Sequence, residues 1–246
     1  MRSLVAPKER NLVTPKERNL VVLTGAGISA ESGLPTFRDA DGLWEGHHVE
    51  DVASPEGFAR DPLLVHRFYN LRRSKLAEVV PNAAHVALAR LEQEWPGEFL
   101  LVTQNVDDLH ERAGSRLLLH MHGELLKARC EVCGWVGEWR AELGVQTHCP
   151  DCEKAAGLRP HIVWFGEVPF GLDETFARLR DCDVFLCVGT SGQVHPAAGF
   201  VTLTPPHCRR IEVNSKGTQI SYAFQEHVVG MAAVELPKLV EELLRK

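Results

Sequence analysis

The chain has 246 residues and is poor in the features that mark a membrane, exported or nucleic-acid-binding protein. It has no long uninterrupted apolar segment, no signal-peptide-like apolar stretch and no lipidation motif, so the sequence signatures of spanning, export and anchoring are missing. It also lacks a basic excess. Its 27 Lys and Arg stand against 33 Asp and Glu, a net charge of −6 that recommends neither nucleic acid nor an anionic membrane as partner. Cysteine is limited to 7 residues, which in an intracellular chain of this size suits metal ligands or plain thiols better than a disulfide framework. Repetition is confined to the start, where Leu4-Val-Ala-Pro-Lys-Glu-Arg10 is followed by Leu12-Val-Thr-Pro-Lys-Glu-Arg18. Two short copies are too few for a repeat fold, so residues 1–18 read as a polar extension without function. The remaining composition, 44% apolar and 24% charged, is that of an ordinary soluble globule with one large domain, or one domain with a smaller insertion. The expectation is a cytoplasmic monomer without nucleic-acid or membrane partners.

What the chain does contain is organised around Gly25 to Arg38, reading Gly-Ala-Gly-Ile-Ser-Ala-Glu-Ser-Gly-Leu-Pro-Thr-Phe-Arg. Asn19 to Thr24 precedes it, a β-branched apolar run that reads as a buried strand. A strand running into Gly25-Ala26-Gly27 has the geometry of a dinucleotide loop. Gly25 permits the tight turn, Gly27 lets the backbone approach a pyrophosphate, and a following helix N-terminus offers N–H groups to the phosphates. Ala30 stands at the third fingerprint position, but this spacing alone equally describes a tight strand-to-helix turn. A dehydrogenase fingerprint also needs an acid at a following strand end about 20 residues on, and Asp39 and Asp41 lie too close behind the loop.

Further polar tips follow other strands. Phe99 to Thr103 runs into Gln104-Asn105-Val106-Asp107-Asp108-Leu109-His110, more polar groups than capping requires and placed where open α/β sheets bind ligands. The strand at Leu117 to Leu119 leads to His120-Met121-His122-Gly123; alternation puts both His on one face, two metal ligands at most. Asp183 to Val188 ends in Gly189-Thr190-Ser191, a small-residue turn at a sheet edge fit to touch a cofactor, and Arg210 to Val213 ends in Asn214-Ser215-Lys216. Between strands, Ser54 caps a short helix with Pro55 at its first position. Asp61-Pro62 opens a helix to about Val79 with Leu64, Phe68, Leu71, the Lys75 stem and Leu76 on its apolar face. Asn82 caps Ala83 to Trp95, and Leu236 to Arg245 closes the chain. Strand, polar tip and helix in repetition predict a doubly wound parallel sheet.

Cys130-x-x-Cys133 and Cys149-x-x-Cys152 are separated by the spacing of a closed four-thiolate zinc site, structural because no position remains for water. His148 is an outside competitor as ligand, and Cys182, Cys187 and Cys208 lack such spacing and read as core thiols.

In this order, Gly25 to Arg38, Thr103 to His110, His122-Gly123, the paired cysteines and His161 to Glu167 resemble the motifs of the sirtuins, the NAD-dependent protein lysine deacylases. The resemblance runs from Asn19 to the C-terminus and looks closest to bacterial members and the desuccinylase subgroup. It implies a Rossmann-like sheet with a smaller zinc-binding domain formed by insertions. Residues 19–44, 81–124 and 160–246 would form the NAD domain, and a helical insertion at 45–80 with a zinc ribbon at 125–159 the small one. NAD would contact Gly25, Ala26, Gly27, Ile28, Glu31, Ser32, Phe37, Arg38 and Trp44 in the first part of the chain. It would also contact Gln104, Asn105, Asp107, Gly189, Thr190, Ser191, Asn214, Ser215, Lys216 and Ala232. Catalysis would fall to His122 with Asn105 and Asp107, leaving His120 as a structural neighbour, and the Ala40 to Trp44 loop would act as a lid. The acyl-lysine peptide would meet Val163, Trp164, Phe165, Gly166 and Glu167, with Ala53 leaving room for a longer acyl chain.

Tyr69 and Arg72, three apart on a helix, share a face; spacing alone favours a half-buried Tyr and a surface Arg, and the resemblance to the desuccinylase subgroup instead implies a phenol and a guanidinium that pair with an acyl carboxylate. The implied products are lysine, nicotinamide and 2′-O-acyl-ADP-ribose, with NAD as co-substrate and one structural zinc. Mono-ADP-ribosyl transfer from the same pocket is the nearest rival. A zinc-ribbon nucleic-acid module is disfavoured because Arg129, Arg140, Lys154 and Arg159 of the insert face Glu131, Glu138, Glu142, Asp151 and Glu153.

Overall fold

The computed structural model of the protein describes residues 19–35, 44, 46–155 and 157–245. Its elements are β1 (Leu20–Thr24), α1 (Val49–Val52), α2 (Pro55–Arg60), α3 (Pro62–Glu78), α4 (Ala83–Glu94), β2 (Phe99–Thr103), α5 (Leu109–Ala113), β3 (Leu118–His120), β4 (Gly123–Cys130) and β5 (Val136–Glu138). They continue with β6 (Leu158–Ile162), α6 (Leu172–Arg180), β7 (Val184–Val188), α7 (Phe200–Leu203), β8 (Arg209–Asn214), β9 (Glu226–Val229) and α8 (Ala232–Leu244).

Strands β1, β2 and β7 are fully buried and apolar except for the terminal Thr24 and Thr103, as a parallel sheet covered on both faces demands. They lie inside a six-stranded parallel sheet of order β3-β2-β1-β7-β8-β9. Alternate residues serve opposite layers. Leu20, Val22, Leu101, Leu186 and Ile211 pack with Leu88 and Leu91 of α4 and Leu236 and Val240 of α8. Val21, Leu23, Val102, Phe185 and Cys187 pack on the other side with Leu179, Phe200 and Val201. The fold is therefore a Rossmann-like doubly wound sheet. Among the described residues no helix is long and apolar enough to cross a membrane.

Strand order reverses between β1 and β7, so the crevice for a ligand opens between their C-terminal ends. The Gly189 turn follows β7 and is thus central, where the sequence suggested a sheet edge. A second sheet of order β5-β4-β6 is antiparallel and spans Gly123 to Ile162. At Gly123 the chain turns from one sheet to the other with φ of 82°, and a Cβ there would sit 2.1 Å from the His161 carbonyl oxygen, so only glycine fits.

Local signals behave as the side chains dictate. The Ser54 hydroxyl accepts from Gly57 N at 2.9 Å, and Asn82 Oδ1 accepts from Ala84 N at 2.9 Å. Three expectations need correction. No α-helix follows the glycine loop: Ala26–Ile28 and Ala30–Ser32 are separate 3-10 turns, the second ended by left-handed Gly33. Gly27 N donates to Gly189 O and Ile28 N to Gly25 O, so these N–H groups do not point at a phosphate. Leu71 is 57% exposed, because the buried face of α3 runs through Val65, Phe68, Tyr69, Arg73 and Leu76. Helix α8 begins at Ala232, ahead of the expected Leu236, because the distant Glu31 carboxylate accepts from Ala233 N at 2.8 Å and caps it.

Asn82 also donates from Nδ2 to Ile28 O at 2.8 Å and to Ser32 Oγ at 3.0 Å, tying α4 to the glycine loop. Asn82→Ala is expected to lower the unfolding free energy by about 1–3 kcal/mol. Urea denaturation measures this, and an unchanged midpoint would contradict it.

Candidate active site

The strand tips together with Trp44, Ala53 and the α3 residues Tyr69, Arg72, Lys75 and Leu76 line a cavity of about 840 Å³. From the glycine loop it is lined by Gly25, Ala26 and Gly27; from the tip of β2 by Gln104, Asn105 and Asp107; and from later tips by Gly189, Thr190, Ser191, Asn214, Ser215 and Lys216. It is also lined by Trp44, Ala53, Tyr69, Arg72, the turn from Val163 to Glu167, and His122. Most of the residues singled out from the sequence thus converge on one space. Ile28, Glu31, Ser32 and Ala232 do not line it: Ile28 and Ala232 are packed in the core, Glu31 caps α8, and Ser32 accepts from Asn82. Phe37, Arg38 and the part of the expected lid from Ala40 to Leu43 lie outside the described residues.

His122 donates from Nδ1 to the Gln104 carbonyl at 3.0 Å, which fixes the tautomer and leaves the Nε2 lone pair as the proton acceptor. Burial lowers its pKa, partly offset by that bond, so the ring is neutral at pH 7. His120 makes the matching bond to the Asn105 carbonyl at 3.0 Å. Burial opposes its charge, but Glu111, 2.7 Å from Nε2, outweighs this and raises its pKa. The two rings therefore hold successive carbonyls of one strand tip while their pKa values are pushed in opposite directions.

Behind the cavity lies a network that the sequence reading missed. Its hub is Ser29, 2% exposed. Asn82 N donates to His85 Nδ1, so His85 carries its proton on Nε2, 3.4 Å from Ser29 Oγ. Asn105 Nδ2 donates to the same oxygen at 3.1 Å, and the Ser29 hydroxyl donates to Asp107 Oδ2 at 3.0 Å. Leu109 N completes the carboxylate at 3.2 Å, while burial raises the Asp107 pKa. Below it, Thr24 and Thr103 hydroxyls meet at 2.8 Å and His110 Nε2 lies 3.1 Å from Thr24 Oγ1. Asn105 and Asp107 are thus held rigid toward the cavity. The only sequence signal was a serine inside a glycine motif, with partners 56 and 78 residues away.

The Tyr69 hydroxyl accepts from Trp164 Nε1 at 2.9 Å, and burial pushes its pKa up. The Arg72 guanidinium carbon lies 4.3 Å from the Trp44 ring centroid, so phenol and guanidinium sit against the same space.

The four sulfurs of Cys130, Cys133, Cys149 and Cys152 lie within 4.8 Å of one another. Cys130 Sγ to Cys152 Sγ is 3.8 Å and Cys133 Sγ to Cys149 Sγ is 3.7 Å. Zn–S bonds of about 2.3 Å in a tetrahedron require S···S edges of about 3.8 Å, so the donor set fits a structural zinc. His148 Nδ1 is committed to the Glu153 carbonyl at 2.8 Å. Cys182, Cys187 and Cys208 are buried in the core.

Comparison with known proteins agrees with this geometry. The Sir2 family model matches residues 25–196. A curated relative from Bdellovibrio bacteriovorus, named an NAD-dependent protein deacylase, is 56% identical over 225 residues, covering 91% of this chain and 95% of its own length. A solved Sir2 homologue in complex with NAD superposes with a TM-score of 0.85 at 39% identity, over 94% of this chain and 90% of its own. Another, bound to a myristoylated histone peptide, gives 0.73 at 33% identity, over 94% and 92%. With its parallel sheet, four-cysteine cluster and tip cavity, the chain belongs to the Sir2 family of NAD-dependent enzymes.

Two outcomes follow. Burial lowers the His85 pKa from 6.5 to about 4, so the unfolded chain takes up this proton first on acidification. The stability that His85 contributes is whole above pH 6.5 and is lost as pH falls toward 4, on the order of 1–2 kcal/mol by pH 5. Urea unfolding at pH 7 and 5 should show the decline, reduced in His85→Gln; identical pH slopes would contradict it. Cys130→Ser should lose bound zinc by elemental analysis and unfold at lower temperature, whereas a metal-free variant melting with the wild type would remove the structural role.

Proposed function

We propose that the chain is an NAD-dependent protein lysine deacylase acting on acetyl- and succinyl-lysine. The observation that carries this is His122: a neutral, tautomer-fixed imidazole lining the same cavity as the glycine-rich strand tips and the Tyr69–Arg72 pair. NAD would supply the ribose carbon that takes the acyl oxygen as nicotinamide leaves, and with one water the products are free lysine, nicotinamide and 2′-O-acyl-ADP-ribose. The residues that fit it are Gly25 to Gly27 and Gly189 to Ser191 beside the diphosphate, Asn214 to Lys216 at the outer tips, and Asn105 and Asp107 toward the nicotinamide end.

His122 Nε2 is the base for a ribose hydroxyl, and its Nδ1–H bond to Gln104 keeps the ring aimed as it gains the proton. Ser29 holds the Asn105 amide and the Asp107 carboxylate in place before substrate arrives. The turn from Val163 to Glu167 receives the peptide, and Ala53 leaves depth for the acyl chain. Tyr69 and Arg72 read a terminal carboxylate there through charge-assisted hydrogen bonds. We read residues 19–44, 81–124 and 160–246 as the NAD-binding unit and 45–80 with 125–159 as the smaller one, although the small sheet itself reaches from Gly123 to Ile162. We also read the enzyme as a cytoplasmic monomer acting on acyl-lysine proteins or peptides, without nucleic acid.

The test is mass spectrometry of acetyl- and succinyl-lysine peptides with and without NAD, for wild type and Arg72→Met. Both acyl groups should be removed only with NAD, and Arg72→Met should cut desuccinylation at least about tenfold while deacetylation falls far less. Equal losses would discard the clamp, and NAD consumed with mass added to protein would discard the deacylase.

A further inference from the structure

Arg159 does not line the cavity, yet its side chain is only 2% exposed and is among the largest fully buried ones in the protein. Desolvating a guanidinium is costly unless every contact is well made. Its Nη1 and Nη2 donate to the two carboxylate oxygens of Glu167, each at 2.8 Å, and Nη2 also donates to the Ile162 carbonyl at 2.8 Å. Its guanidinium carbon lies 3.3 Å from the Trp164 ring centroid. Glu167 in turn accepts from Trp164 N at 2.8 Å and from Arg129 Nη2 at 2.7 Å. The Glu167 carboxylate is therefore saturated by protein groups, and Trp164 is pinned both through its backbone and across its ring face. The indole carries this rigidity onward: Nε1–H donates to the Tyr69 hydroxyl, itself 0% exposed.

That last bond has a directional consequence. A phenol oxygen that accepts one N–H has that side occupied, so its own proton must point elsewhere. Tyr69 lines the cavity together with Arg72, Trp164 and Glu167, so a carboxylate held there by Arg72 is an acceptor that this proton can meet. Without the indole N–H the hydroxyl is free to rotate and to present a lone pair, which repels a carboxylate.

We propose that Arg159 is a positioning residue for acyl-group selectivity: through Glu167 and Trp164 it fixes the Tyr69 hydroxyl as a donor to the terminal carboxylate of an acidic acyl-lysine. This deepens the proposed function and rests on the Tyr69–Arg72 reading made there. Because Arg159 lies on β6 and Arg129 on β4, the selectivity of the acyl pocket is set from the sheet that carries the first zinc ligand, Cys130.

The experiment compares wild type, Arg72→Met, Trp164→Phe and Arg159→Met on succinyl- and acetyl-lysine peptides, with KM for NAD measured alongside. Trp164→Phe deletes the indole N–H and keeps an aromatic ring. It should lower the succinyl-to-acetyl ratio of kcat/KM about tenfold, through the KM for succinyl peptide, with KM for NAD unchanged. Arg159→Met should move the ratio the same way; should it fail to fold, Trp164→Phe decides alone. Equal losses on both peptides in Trp164→Phe would mean a merely structural role, and an unchanged ratio would mean that the hydroxyl needs no orienting; either overturns the proposal. A ratio lost in Arg72→Met but kept in Trp164→Phe overturns this proposal alone. Absence of desuccinylation in the wild type overturns the clamp and this proposal with it.

Discussion

The structure depends on a backbone contact between two strand tips at the reversal point of the sheet. Gly27 N donates to Gly189 O at 2.8 Å, and Gly189 N reaches back to Val213 O at 3.0 Å. A Cβ on Gly27 would lie 2.7 Å from Gly189 Cα, and one on Gly189, whose φ is 63°, would lie 2.4 Å from Ile28 N. No side chain fits at either position without moving backbone. With the loops after β1 and β7 in direct contact, the cavity floor is bare main chain, and polar groups from β2, β3 and β8 surround it. The glycines therefore act here chiefly by loop-to-loop packing, more than by exposing a helix end to phosphate.

A second constraint is the protonation of buried histidines. Four rings, His85, His110, His120 and His122, bond groups at or just beyond the ends of β1 and β2, and of these four only His120 has a carboxylate at hydrogen-bond distance. Burial lowers the pKa of His85, His110 and His122, while Glu111 raises that of His120. The protein thus places a base whose pKa is lowered two residues from a ring whose pKa is raised, with Gln104 and Asn105 carbonyls as the respective anchors. Neighbouring residues of one type acquire separate duties from their partners alone.

Much of this was legible in the chain, for reasons that can be located. The continuous apolar runs of β1, β2 and β7 announce a covered parallel sheet, the Cys130 and Cys149 knuckles announce a four-thiolate site, and Ser54 and Asn82 mark helix starts because capping is local chemistry. What stayed hidden depends on contacts between distant segments. Glu31 caps α8 from 202 residues away, Ser29 gathers groups from α4 and from beyond β2, and Glu167 accepts from Arg129, 38 residues before it. Ile28, Glu31 and Ser32 were grouped with the cavity because they stand in its motif, but the 3-10 turns rotate them toward the core, α8 and Asn82. Periodicity misplaced Leu71 for a similar reason: α3 buries the face with Tyr69 and Arg73 against neighbours that no local pattern describes.

The central claim is that His122 performs the chemistry in a cavity built by other residues. The most direct measurement titrates NAD calorimetrically into wild type and His122→Ala and follows acyl-peptide turnover in both. His122→Ala should bind NAD with affinity within a few-fold of wild type, because the glycine tips and the Ser29 network are untouched, while turnover falls by at least about a hundredfold. Retained turnover in a variant that binds NAD normally would contradict the assignment.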